Sequence, residues 1–225
     1  MHRTRWMSAT AALAVPALVL ATAQGASAAS ATVASWGMND TGTTMSDSSG
    51  HGHNGTLHTV KTAQPGFAGS SFGFFGHPSY VSVPSAADLN PGTANFSFTL
   101  HVKFPNRPSS SVGDYDLMRK GLATTDGGSW KVEVLGSGKA FCDFRGATHE
   151  GTVTSTNALS AGAWHTITCT RTATTVQIVA DGATVTKTVT TGSISNSGSV
   201  FLGAKNGTGA DQLTGYLDSV TVRKG

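Results

Sequence analysis

Between Asn95 and Phe104 apolar and polar residues alternate without a break. Phe96, Phe98, Leu100, Val102 and Phe104 share one parity, while Asn95, Ser97, Thr99, His101 and Lys103 share the other. That two-residue period predicts a strand with one face in a core and the other in water. Shorter runs of β-branched and aromatic residues recur along the chain with turn residues between them. They predict strands at Thr32–Trp36, Phe72–Phe75, Tyr80–Val83, Leu117–Lys120, Trp130–Leu135, Ala140–Arg145, Thr152–Ser155, Trp164–Arg171, Val176–Ala180, Thr184–Thr190 and Val200–Gly203. Asp181-Gly182 lies between two of these runs and has the chemistry of a two-residue hairpin, and Gly136-Ser137-Gly138 does similar work. Helix signals are nearly absent, and no repeat period or Pro-rich linker divides the chain. The pattern predicts one all-β sandwich.

The closing run Leu213–Lys224 adds a problem to this pattern. As an uninterrupted strand it places Asp218 on the parity of Tyr216, Val220 and Val222. A carboxylate left among apolar side chains is costly, so three solutions remain open: a hydrogen-bond cage, a cation, or a bulge that turns Asp218 aside.

The N-terminus reads as a secretory signal. His2-Arg3-Thr4-Arg5 supplies positive charge, Ala11 to Ala23 is an apolar run too short to span a bilayer, and Ala26-Ser27-Ala28 offers the small residues of a cleavage site. Cleavage after Ala28 assigns residues 1–28 to the signal and 29–225 to one domain. With Arg3 and Arg5 removed, 13 Lys and Arg face 12 Asp and Glu. That balance gives no electrostatic reason to expect a nucleic acid or an anionic membrane as partner, and no later apolar run is long enough for a membrane span. Cys142 and Cys169 each lie in a predicted strand. Two cysteines in an exported protein, without a Cys-x-x-Cys spacing, favour one disulfide.

Several ordered landmarks together resemble the laminin G-like jelly roll of the concanavalin A-like lectin and glucanase superfamily. They are Ser35-Trp36-Gly37-Met38-Asn39-Asp40, the turn-rich Asp47 to Leu57, Ala163-Trp164-His165-Thr166, Asp181-Gly182 and Gly215-Tyr216-Leu217-Asp218-Ser219-Val220. The resemblance implies two antiparallel sheets with the first and last strands adjacent. It also implies a structural calcium held by Asp218, with carbonyls from early residues of the domain and with Asp40 as a lesser side-chain candidate. Calcium takes six to eight oxygens, so one carboxylate with carbonyls and water is adequate chemistry. Relatives often carry a Trp within the strand matching Phe98–Lys103, whereas this chain has His101 in that neighbourhood.

The candidate chemistry narrows the function. Hydrolytic glucanases need two carboxylates across the scissile bond, but the chain has only Glu133 and Glu150, without the Glu-x-Asp-x-x-Glu spacing of laminarinase-like relatives. Glu133 with Asp143 is the remaining geometric option, and no catalytic residue is assigned. His51, His53 and His58 cluster in a Gly-rich segment; a folded loop can turn such a cluster into a zinc or copper site, although the expectation is solvated histidines. Phe141, Asp143 and Arg145 share a parity opposite Ala140, Cys142 and Phe144, so they form either an outward ligand-binding surface or a solvated face with a weak ion pair. Trp36, Trp130 and Trp164 are expected in the core. The reading is a secreted, extracellular, non-catalytic binding module for carbohydrate or another extracellular macromolecule. An exported structural or protein-interaction domain is the alternative, with a divergent glycosidase behind it.

Overall fold

The computed structural model describes residues 30–225 and His2; the cleavage after Ala28 lies outside the described residues. In chain order the strands are β1 (Ala31–Trp36), β2 (Thr44–Met45), β3 (Gly55–His58), β4 (Lys61–Pro65), β5 (Ser70–Phe74), β6 (Tyr80–Val83), β7 (Phe96–Lys103) and β8 (Asp114–Lys120). They continue as β9 (Ser129–Leu135), β10 (Lys139–Arg145), β11 (Glu150–Ala158), β12 (Trp164–Arg171), β13 (Thr175–Ala180), β14 (Ala183–Thr188), β15 (Val200–Leu202) and β16 (Gly215–Lys224). Among the described residues there is no helix, and so none long and apolar enough to cross a membrane.

Two eight-stranded antiparallel sheets form a sandwich. The first runs β14-β13-β12-β7-β16-β5-β4, with β1 also on β16, and the second runs β11-β10-β9-β8-β15-β6-β3-β2. The alternation seen at Asn95–Phe104 is realised in β7, whose Phe96, Phe98, Leu100 and Val102 are buried while the residues between them are half exposed. Facing them from the second sheet are Trp130 and Phe144, with ring centroids 5.0 and 5.7 Å from Phe98. Cys142 of β10 and Cys169 of β12 are bonded through this core, from one sheet to the other, with Cα atoms 5.9 Å apart. Asp181 and Gly182 have φ of 48° and 82°, the paired positive values of a hairpin turn matched to strand twist, and they join β13 to β14.

The sequence pattern did not mark β2, β3 or β4. These strands are short, and β4 (Lys-Thr-Ala-Gln-Pro) has no alternating apolar set because it lies at a sheet edge, where a terminal proline is tolerated. Trp36 and Trp130 are fully buried as expected, whereas Trp164 is half exposed on the outer face of the first sheet.

The uninterrupted parity expected for the last strand does not hold. The register of β16 against β7 slips between Asp218 and Thr221, and Ser219 sits at φ 48°. This bulge places Leu217 in the core before it and Val220 and Val222 in the core after it, with Tyr216 turned outward. It also lies where β16 changes neighbours: Gly215 to Leu217 pair with β5, and Val220 to Lys224 pair with β1.

Candidate functional site

Side chains of β10 alternate across the second sheet, with Ala140, Cys142 and Phe144 in the core and Phe141, Asp143 and Arg145 on the outer side. Strand register then extends that outer surface. In one row Phe141 stands opposite Glu133, and Glu133 opposite Asp116; in the next, Asp143 faces Lys131, Lys131 faces Arg119, and Arg119 faces Phe201. Every second residue of a strand points the same way, so the sheet converts scattered sequence positions into one polar field.

The charges in this field are crowded. Arg119 Nη1 donates to Asp116 Oδ2 at 2.7 Å and lies 4.0 Å from Glu133 Oε1, which Lys131 Nζ also engages. The same Nζ sits 5.5 Å from the centre of the Phe141 ring. Arg145 does not pair with Asp143; its Nη2 contacts Glu150 Oε2 at 3.1 Å, because Glu150 is its direct partner across β11. Asp143 is consequently buried with no ion pair among the described residues. Burial pushes its carboxyl up to about 7, reinforced by Glu150 and opposed by Lys131 and Arg145. Burial also lifts Asp114 to about 6, with Glu133 and Asp211 adding repulsion. It raises Asp116 too, against the pull of Arg119.

Oδ1 of Asp114, Asp116 and Asp143 and Nε of Arg145 find no hydrogen-bond partner among the described residues. Beside Arg119 the field opens into a cavity of about 180 Å³, walled by Leu122, Phe201, Lys205 and Asn206 among others. Glu133 and Asp143, the carboxylates considered for hydrolysis, sit diagonally on adjacent strands of this face, with Glu133 bracketed by Lys131 and Arg119.

Asp218 is fully buried, and among the described residues it has no ion-pair partner. Its Oδ2 accepts the Ala68 N–H at 2.9 Å and its Oδ1 accepts the Ser219 hydroxyl at 3.1 Å. Gly66 leaves room for this contact: a methyl there would come within 2.6 Å of the Ser70 carbonyl oxygen and 2.8 Å of Asp218 Oδ2. Asn39 Oδ1 approaches the same turn by accepting the Ser70 N–H at 2.8 Å. A carboxylate, a backbone carbonyl and an amide oxygen are a donor set that fits calcium. Asp40 turns both oxygens to Ser46, at 3.1 Å to its N–H and 2.6 Å to its hydroxyl.

Two further features were not expected. On the outer face of the first sheet Phe67, 50% exposed, stacks on His101 with centroids 3.8 Å apart. Trp164 is 6.3 Å from both Phe67 and Tyr216, and Phe75 is 5.0 Å from Tyr216, so the aromatics form a strip. The sequence signal was an aromatic set between glycines, Gly66-Phe67-Ala68-Gly69, where no core position is available. The second feature departs in part from the expectation of solvated histidines: His51 stays exposed, but it and His53 are joined to a distant loop. His51 and His53 both reach Asp88, while His58 lies apart, stacked on Tyr80 at 4.2 Å.

Three comparisons place this geometry among known proteins. No curated protein matches the chain by sequence. Among solved structures, the binding domain of Paraclostridial Mosquitocidal Protein 1 superposes with a TM-score of 0.68 at 16% identity, over 85% of this chain and 48% of that one. The chain thus spans about half the length of that relative. Domain 4 of AbnA, a GH43 extracellular arabinanase from Geobacillus stearothermophilus in complex with arabinotriose, gives 0.66 at 15% identity over 87% of this chain and 93% of that one. Domains LG4-5 of the mouse laminin alpha1 chain give 0.53 at 16% identity, over 72% and 41%. At these identities the likeness is one of fold. Residues 75–224, two thirds of the sequence, match the laminin G family description, and the chain belongs to the concanavalin A-like lectin/glucanases superfamily.

Proposed function

We propose that this protein is a secreted, non-catalytic carbohydrate-binding module whose sugar site is the outer face of the second sheet around Phe141. The observation that carries this reading is the set of buried polar atoms on that face without partners, Asp116 Oδ1, Asp143 Oδ1 and Arg145 Nε, beside a half-buried aromatic ring. Sugar hydroxyls donate and accept at once, so they complement fixed carboxylates and guanidinium groups while a ring packs on the sugar's apolar face. The arabinotriose complex of the arabinanase domain, built on the same fold, supports the ligand class. Few groups converge on a shallow face, so dissociation constants of order 10⁻⁵ to 10⁻³ M follow. Retention on a polysaccharide panel, with Asp143→Asn as control, tests the reading, and equal retention of both proteins on every matrix defeats it. A reducing-sugar assay on the retained polysaccharides tests for the divergent glycosidase.

Calcium belongs to the same proposal as a structural ion at Asp218, with the Asn39 side chain and the Ser70 carbonyl of the adjoining turn as further oxygen donors. The core disulfide suits an oxidising compartment. Mass spectrometry of culture supernatant tests export, for which a mature N-terminus after Ala28 is expected and an intact Met1 is the contrary result. The aromatic strip on the first sheet supports a second reading of the same function. Phe67 is the most exposed of the large apolar side chains named on either face, and it lies flat on His101.

A further inference from the structure

We infer that His51, His53 and Asp88 form a binding site for a divalent transition-metal ion, with zinc as the occupant. The histidines lie in the loop between β2 and β3, and Asp88 lies in the loop between β6 and β7. His51 Nδ1 and His53 Nε2 stand 3.0 and 2.8 Å from one oxygen, Asp88 Oδ2, and the three donor atoms all lie within 4.8 Å of one another. Zinc bonds of about 2.0–2.1 Å to nitrogen and oxygen set neighbouring ligands about 3.3 Å apart around a tetrahedral ion. The two contacts with Asp88 therefore lengthen by only a few tenths of an ångström on binding. His51, with 43% of its side chain exposed, provides the adjustment by rotating, whereas His53 is only 11% exposed.

Both loops are held before any ion arrives. His53 donates its N–H to Asp47 Oδ2 at 2.9 Å, and its carbonyl accepts the Trp36 indole N–H at 2.7 Å. Asp47 also takes the N–H groups of Ser35 and Ser49, each at 2.9 Å. Across the site, Lys224 Nζ donates to the carbonyls of Ala87 and Asn90, at 3.4 and 2.6 Å, and Trp130 Nε1 donates to that of Leu89 at 3.2 Å. A site assembled in advance loses less freedom on binding than a flexible His-x-His segment does.

The donor set selects the ion. Two imidazoles and one carboxylate suit zinc, copper or nickel, whereas calcium and magnesium prefer oxygen throughout. In the metal-free protein each imidazole satisfies Asp88 Oδ2 with an N–H hydrogen. The ion takes the place of both hydrogens, and each ring bound to it is neutral with its remaining proton on the far nitrogen. The exposure of His51 and Asp88 leaves the fourth position to water. The loaded site joins the two loops through metal bonds in place of the direct contacts of His51 and His53 with Asp88.

Calorimetric titration of untagged, chelator-stripped protein with zinc chloride tests the inference. One ion per chain is expected, with a Kd in the micromolar range or tighter, and cobalt as a substitute should give the intense visible absorption of a tetrahedral site. His51→Ala and Asp88→Asn should each weaken zinc at least tenfold, while leaving the melting temperature of the stripped protein within a few degrees of its parent. Asp218→Ala should leave zinc binding unchanged, which separates this site from the calcium proposal. Absence of zinc binding at 100 μM, or equal affinity in the parent and both variants, overturns the assignment. If a variant melts much earlier, the cobalt spectrum of the parent still decides, since an octahedral spectrum excludes the site.

Discussion

Asp218 Oδ2 accepts the backbone N–H of Ala68 at 2.9 Å, joining residues 150 positions apart at the point where the last strand changes partners. The contact explains why a carboxylate interrupts an apolar strand. The Asp218–Ser219 bulge turns the side chain out of the core and over the Gly66–Ser70 turn. Two hydrogen bonds satisfy part of a buried carboxylate, which has no counter-ion among the described residues. If calcium completes the site, chelator should lower the melting temperature of the parent and leave Asp218→Ala unaffected. An ion at 100 times its dissociation constant stabilises by about 2.7 kcal/mol. Identical melting curves for the parent with and without chelator would show that the hydrogen bonds suffice.

Cys142 and Cys169 close a loop with a sequence separation of 27 residues and tie the two sheets together. In the chain-entropy model that closure contributes about 3.5 kcal/mol. For a domain of this size the loss corresponds to a fall of roughly 7–14 °C in melting temperature. The double substitution to Ala should show it in a thermal scan, and alkylation of the native parent should find no thiol. A fall of less than about 2 °C would mean that the cross-link restricts the unfolded chain little.

The outer face of the second sheet sets a pH dependence. Asp143 and Asp114 titrate near 7 and 6 in the folded protein, against an ordinary carboxylate value near 4. The folded state therefore holds more protons than the unfolded chain between about pH 4 and 7, so stability falls as pH rises through that window. Below it both states are protonated, and above it the destabilisation is complete. Lys120, lowered by burial to about 8, acts only above the window. Asp47 acts below it, since hydrogen bonds from Ser49, Ser35 and His53 outweigh burial and hold it low. Asp143→Asn should flatten the slope and stabilise the protein at pH 8 by about 1–4 kcal/mol. Chemical denaturation at pH 5 and pH 8 measures this, and a slope as steep in Asp143→Asn as in the parent would locate the effect elsewhere.

Strands with strict alternation or β-branched runs were legible because burial on one face imposes the two-residue period directly. Trp164–Arg171 and Tyr80–Val83 fall where the pattern put them. Edge strand β4 was not legible, since it buries little and its residues need no period. The outward placement of Phe141, Asp143 and Arg145 was readable from parity within one strand. Their neighbours Lys131, Glu133, Asp116 and Arg119 were not, because register between strands is set by pairing that no local pattern records. For the same reason, Asp88 could not be linked to His51 and His53, which lie 37 and 35 residues away. The bulge at Ser219 reversed the parity of Tyr216 and Leu217 relative to the residues after it, and only the apolar placement of Asp218 hinted at the break.

The sugar-binding face is decided by two aromatic substitutions read together. Phe141 is half buried on the second sheet, and Phe67 is half exposed over His101 on the first. Neither side chain fills the core, so Phe141→Ala and Phe67→Ala should each lower stability by no more than about 1 kcal/mol, a fall of roughly 2–4 °C in melting temperature. Loss of one stacking ring from a shallow site should cost about 1–3 kcal/mol of affinity, roughly 5- to 150-fold. Starting from millimolar to 10-micromolar binding, that loss abolishes retention on a polysaccharide column. The expected result is loss of retention in Phe141→Ala with Phe67→Ala retained. The reverse would move the site to the aromatic strip of the first sheet. Retention of both variants would remove carbohydrate stacking from either face.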